Sequence, residues 1–307
     1  MYSASFSPSG ISSFFKACTH NEDGSPISDP IRVGAEGGGF ALTKGVTTKV
    51  YVKKSDVSQI DVVINKRETK EAKTTETMVK RLLQPLKRQY DIRVEHLIEV
   101  PIGAGFGTSA AGALSCGLAL SHALRLDFTY NQIAQIAHVV DVECNTGLGT
   151  IEGLTLGGLV LVVKSGAVGI GLVDRIPVRP SLKIVAGTFQ SMDKSAVLWS
   201  KEKTMQINLI ADRTMQRILA KPTPTNFLKC CKRFALDSGL ASTRVRKLID
   251  AVEDAGALGA AQNMIGEAVH ALTTPDRLDD VYRVFARYLP EDKIIVSDID
   301  LQGARLL

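Results

Sequence analysis

The stretch "VPIGAGFGTSAAGALSCG", Val100 to Gly117, places glycines at 103, 105 and 107 directly before a run of small residues with the look of a tightly packed helix. The preceding "IRVEHLIEV" puts Ile92, Val94, Ile98 and Val100 on one face of a strand, and Pro101 stops it. The local order is therefore strand, glycine-rich turn, helix N-terminus. The first turn of a helix carries unpaired N–H groups, and the macrodipole adds partial positive charge there. Glycine lets the backbone approach an anion without an obstructing Cβ and adopts positive φ. Together these make a phosphate cradle. Two nucleotide templates fail: a P-loop would need Lys where Ala113 stands, and a dinucleotide fingerprint would need Gly at Phe106 or Thr108. The glycine pattern alone leaves two readings open, an anion-binding loop or a plain turn before a packed helix.

Working outward, residues 1–7 suggest a short strand ending at Pro8, and 17–39 a turn-rich loop. "FALTKGVTTKVYVKK" and "IDVVIN" are strands by β-propensity, and Met78, Leu82, Leu83 and Leu86 have helical spacing within 71–89. Helices are expected over Ser109–Leu124 and about Asn131–Cys144, with a strand at "GGLVLVV" and another beginning or joined at "DRIPV". Beyond about residue 180, "LKIVAGTF" is a strand, helical segments dominate to about Leu272, and "YLPEDKIIVSDID" returns to strand. The expectation is two α+β domains, 1–175 and 176–307.

Of the 307 residues, 45% are hydrophobic and 22% charged, which suits a globular protein with a sizeable core. The net charge of +5 is scattered and lacks the dense basic stripe of a nucleic-acid surface. The five cysteines form no CxxC pair, so reduced structural thiols in a cytoplasmic protein are expected. The N-terminus has neither the basic head nor the apolar stretch of a signal peptide. No apolar run reaches the ~18 residues of a membrane span.

"PIGAGFGTSAAGALS" resembles the phosphate-binding motif of the GHMP kinases, commonly P-x-x-x-G-L-G-S-S-A, through Pro101, Gly105, Gly107, Ser109 and Ala110. The segments "FSPSGISSFF", "DPIRVGAEGGGFALTKGVTTKV", "AHVVDVECNTGLGT", "RFALDSGLASTRVRKLI" and "AAQNMIGEAVHAL" follow the order seen in archaeal pantoate kinases of that superfamily. The resemblance implies an α+β GHMP kinase fold, with a ribosomal-protein-S5-domain-2-like N-terminal domain and a ferredoxin-like C-terminal one. It implies ATP-dependent phosphorylation of pantoate to 4-phosphopantoate with Mg²⁺, on the archaeal route to coenzyme A, in a protein that is often a homodimer.

On the same resemblance, Gly103, Ala104, Gly105, Phe106, Gly107, Thr108, Ser109 and Ala110 wrap the ATP phosphates. Ser109 and Asp141 hold Mg²⁺, and His138 is a satisfied structural residue. Ser12, Arg32, Gly37, Gly38, Thr146 and Gly147 line the acceptor site. Three positions depart from the family pattern. Gly10 stands where relatives often carry His, Glu36 where they carry Arg, and Thr150 where "TGLG" is followed by Asp. A threonine hydroxyl cannot act as a base near neutral pH, so Thr150 is a catalytic position without a base. Glu36 would repel an anionic acceptor, leaving Arg32 or Lys44 to supply a cation. "AAQNMIGEAVHAL" closes the site in the family, although alone it equally suits a helix packed on a sheet.

Overall fold

A computed structural model of the chain describes residues 1–21, 23–191 and 201–307. Two sheets organise it. In the first, β1 (Tyr2–Cys18), β2 (Gly34–Ser55), β3 (Gln59–Ile64), β4 (Arg67–Glu68), β5 (Gln89–Ile98) and β12 (Arg305–Leu306) run in the order β12-β1-β2-β5-β3-β4. β6 (Leu159–Lys164) pairs with the start of β2 and with β7 (Leu172–Ile176). The second sheet has the order β11-β8-β10-β9, from β8 (Lys183–Ser191), β9 (Gly259–Gln262), β10 (Gly266–Thr273) and β11 (Ile294–Asp298).

Helices α1 (Lys73–Leu83), α2 (Thr108–Leu124), α3 (Tyr130–Glu143) and α4 (Thr150–Leu156) cover the first sheet. The later helices are α5 (Lys201–Ala220), α6 (Pro224–Asp237), α7 (Thr243–Asp254) and α8 (Leu278–Tyr288).

α2 is buried on nearly every face, and its small residues permit this. A Cβ at Gly117 would overlap the Met78 side chain and come within 2.8 Å of Ile133, so glycine there lets α1 and α3 close on α2. Beneath it a buried polar chain fixes the helix to the sheet. Thr48 Oγ1 meets His96 Nδ1 at 2.8 Å and Ser115 Oγ at 2.5 Å, and Thr75 Oγ1 meets His96 Nε2 at 3.0 Å. Burial pushes the His96 pKa down to about 4, so the ring is neutral and its bonds persist across ordinary pH.

Three expectations differ from the structure. β1 does not end at Pro8 but continues to Cys18, with the pairing register shifting between Pro8 and Ser9, where the missing N–H is absorbed as a bulge. The glycines at 37–39 lie in β2 and not in a loop. A Cβ at Gly39 would overlap the Ile11 carbonyl, so glycine permits close strand approach. The stretch 259–273 is a strand hairpin turning at 263–265, not helix: every residue of β9 and β10 is buried, and a strand buried on both faces shows no alternation.

The halves share a core. Phe14 and Phe40, from β1 and β2, lie edge-on to Phe227 of α6 at ring-centroid distances of 6.1 and 5.8 Å. Free Cys116 and Cys231 are wholly buried, and desolvation raises the Cys116 thiol to about 12, which agrees with inert structural thiols. Phe227→Ala is expected to cost about 3–5 kcal/mol. Urea unfolding checks this, and a cost below about 1 kcal/mol would contradict the shared core.

Candidate active site

The site is built where α2, α4 and the bulged β1 meet. Gly103, Gly105 and Gly107 have φ of 75°, 82° and 60°, the left-handed region that glycine enters without strain. Gly107 is the N-cap of α2, and among the described residues no side chain caps the helix or accepts from its first-turn N–H groups. Ser109 lies inside the first turn, half-buried, and is not the N-cap. Thr108 is buried beside it, while Ala104, Phe106 and Ala110 turn their side chains into the core and offer the loop only their backbones. The Phe106 carbonyl accepts from Gly10 N–H at 3.0 Å, tying the loop to β1.

Two of the departing positions meet here. A Cβ at Gly10 would lie 3.2 Å from Thr150 Cγ2, and one at Gly107 would lie 2.8 Å from the same methyl. Thr150, at the start of α4, thus fills the space between the phosphate loop and β1. The third departure is paired: Lys16 Nζ stands 3.2 Å from Glu36 and 2.8 Å from Asp212. Desolvation lowers the Lys16 pKa, but Asp212 and Glu36 outweigh it and the net shift is upward. Glu36 is therefore not the bare repelling charge expected from sequence.

Asp141 is buried near the end of α3. Thr146 Oγ1 donates to its Oδ1 at 2.7 Å, and Thr146 N–H donates to its backbone carbonyl at 3.0 Å. A Cβ at Gly147 would overlap Asp141 Oδ2, so glycine keeps room around that oxygen. Asp141, Thr146 and Gly147 are thus brought together. Gly37 and Gly38 lie in the β1–β2–β6 ladder, paired with Phe15 and Phe14 on one side and Val162 and Leu161 on the other. Arg32 is exposed on the turn before β2. Lys44 uses its backbone, donating to Ser297 Oγ at 3.1 Å and accepting from Ser9 Oγ at 2.6 Å.

The second sheet closes the site through a relay that no motif announces. The bulge between Ser12 and Phe14 leaves Ser13 unpaired with β2, and its hydroxyl meets His270 Nε2 at 2.9 Å. His270 Nδ1 faces Asn263 Oδ1 at 2.7 Å. Burial lowers the His270 pKa to about 3, so the ring is neutral. The acceptor at Asn263 assigns the proton to Nδ1, and Nε2 accepts from Ser13. Met264 N–H donates to the Ser12 carbonyl at 2.7 Å, and a Cβ at Gly105 would touch Asn263 at 3.5 Å. Sequence reasoning missed His270, Asn263 and Lys16 because their partners lie far along the chain.

Comparison with known proteins agrees with this geometry. Residues 73–153 match the family described as GHMP kinases N terminal domain. The chain is 26% identical to a pantoate kinase of Thermococcus kodakarensis over 89% of this chain and 88% of that one. It is 28% identical to a pantoate kinase of Methanospirillum hungatei, over 87% and 86% of the two chains. A solved structure described as a phosphotransferase related to the CoA biosynthesis pathway superposes with a TM-score of 0.88 at 24% identity, covering 100% of this chain and 99% of the other. The chain has the GHMP kinase fold, and the resemblance read from its motifs is borne out. Among the described residues, no helix is long and apolar enough to cross a membrane.

Gly107→Ala places a methyl against Thr150 in a left-handed backbone and is expected to weaken ATP binding by about tenfold or more. Adding Thr150→Ser, which removes the opposing Cγ2, should recover part of that loss. Calorimetric titration of both variants tests the coupling, and strictly additive effects would refute the contact.

Proposed function

We propose that this protein is an ATP-dependent small-molecule kinase that transfers the γ-phosphoryl group of ATP to the primary hydroxyl of pantoate, giving 4-phosphopantoate and ADP. The observation that carries the reading is the uncapped N-terminus of α2 behind three left-handed glycines, in a chain similar to pantoate kinases over nearly nine-tenths of its length. First-turn N–H groups and the helix dipole supply partial positive charge, and the glycines admit the polyphosphate to the backbone.

The donors fit Mg²⁺. Asp141 supplies a carboxylate and Ser109 a hydroxyl, hard oxygens of the kind that hold this ion together with phosphate oxygens and water. Gly147 keeps the carboxylate clear of a Cβ, and the Thr146 hydroxyl orients it. Bound there, Mg²⁺ neutralises charge on the phosphoryl oxygens. Ser12, Arg32, Gly37, Gly38, Thr146 and Gly147 form the acceptor side in this reading, with the division at 175/176 separating the nucleotide-binding unit from the closing one.

Thr150 takes no proton. Its methyl packs between Gly10 and Gly107, where it limits water and sets the acceptor's approach. Phosphoryl transfer depends mainly on positioning and charge stabilisation, so a base is not required.

Purified protein with Mg·ATP is expected to release ADP when pantoate is added and not with homoserine or mevalonate. Turnover of either alternative in preference to pantoate would overturn the acceptor assignment. Asp141→Asn should lower kcat/KM by on the order of 10²-fold, whereas Thr150→Ala should lower it less than about tenfold. A larger loss at Thr150 would restore a direct chemical role to its hydroxyl.

A further inference from the structure

His138 and Glu152 stand outside the phosphate and metal positions, yet both are buried in the middle of the site's framework. His138 is 0% and Glu152 1% exposed. The imidazole Nε2 lies 2.8 Å from the Val33 carbonyl, in the segment leading into β2. Nδ1 stands 2.6 Å from Glu152 Oε1 on α4, within ion-pair distance although not aligned as a hydrogen bond. A carbonyl has no proton to give, so Nε2 must carry one. At 2.6 Å an unprotonated Nδ1 and a carboxylate oxygen would set lone pair against lone pair. A proton on Nδ1 replaces that repulsion with attraction between opposite charges.

We infer that His138 and Glu152 form a buried imidazolium–carboxylate pair that positions the acceptor side of the site, clamping residues 33–36 and the loop 145–149 onto the helix that carries Asp141. The acceptor role rests on the kinase reading; the pair itself does not. His138 and Glu152 come from the two helices flanking the loop 145–149, and Val33 immediately precedes β2. A Cβ at Gly149 would lie 3.2 Å from Glu152 Oε2 and 3.3 Å from Ala35 N, so the loop, Glu152 and the start of β2 are packed together. Both residues are positioning groups, since neither is exposed to a ligand.

Among the described residues, few other charges face the ring. Asp141 acts on it from its own helix, and α2 presents no charged side chain before His122 in its last turn. From α1, Arg81 is taken up by Glu143 at the exposed end of α3, at 2.5 Å. Desolvation lowers the His138 pKa, but Glu152, the Val33 carbonyl and Asp141 outweigh it and the net direction is upward. The sign follows. A raised folded-state value means the pair's stabilisation is complete below the ordinary histidine range and is lost as pH rises through the raised value. Deprotonation leaves Nδ1 facing a carboxylate and loosens the clamp.

Imidazole nitrogen NMR of the ligand-free protein tests the pair without any substrate. In the wild type both His138 nitrogens are expected to be protonated at pH 7.5. In Glu152→Gln the ring should be neutral, because a glutamine amide can donate to unprotonated Nδ1 and keep the packing. Amide exchange of residues 33–36 and 145–149, corrected for intrinsic base catalysis, should rise about tenfold through the His138 titration in the wild type and stay flat in the variant. Where pantoate is turned over, its KM should rise over the same pH range while kcat changes little. A neutral His138 at pH 7.5, or the same exchange response in Glu152→Gln, would overturn the inference. A charged pair in a protein that turns over no pantoate would instead count against the proposed function alone.

Discussion

Close approach of three backbone segments governs the site. The phosphate loop, β1 and the start of α4 meet around Gly107, Gly10 and Thr150, and two of those positions have no Cβ because the Thr150 methyl occupies the space. An anion held by N–H groups at a helix start needs the same freedom from side chains, since a Cβ on the loop would stand between donor and ligand. At Gly107, steric closeness and an anion-binding role would impose the same requirement. Gly103, Gly105 and Gly107 all take left-handed φ, and the buried side chains of Ala104 and Phe106 hold the loop from beneath.

That loop is only as well placed as the helix behind it. α2 is short of large side chains, so its position depends on fit and on the His96–Thr48–Ser115 chain. A neutral imidazole bonded on both sides is rigid without the desolvation penalty of a buried charge. The Ser13–His270–Asn263 relay does the same between β1 and the second sheet. Two buried neutral histidines thus brace the framework, His96 beneath α2 and His270 between β1 and the second sheet.

The glycine turn before α2 and most of the first sheet were legible in sequence because their signals are local: glycine spacing, strand alternation, and a stop at Pro101. The closing strands were not. β9 and β10 are buried at every position, which erases the period-2 pattern, and their alanines carry no strand preference. β1 was cut short at Pro8 because a proline normally ends a strand, and the bulge that absorbs it leaves no mark in composition. At the site, Asp141 was singled out through the resemblance to the GHMP kinases and not through its spacing on α3. His270 and Lys16 depend on pairs such as 13 with 270 and 16 with 212, which only the folded chain brings together.

The distribution of charge follows from the same requirement. Three acids lie around the start of β2 and the loop 145–149, and they are not equivalent. Glu36 is held by Lys16 and Glu152 by His138. An acid already matched by its own cation gains little from a second one, because the incoming ion must displace the first or bear its repulsion. Asp141 receives the neutral Thr146 hydroxyl at 2.7 Å, a bond that orients an oxygen without cancelling its charge. Glu36 and Glu152 are thus each matched within the fold, and their pairs tie β1 to α5 and α3 to α4.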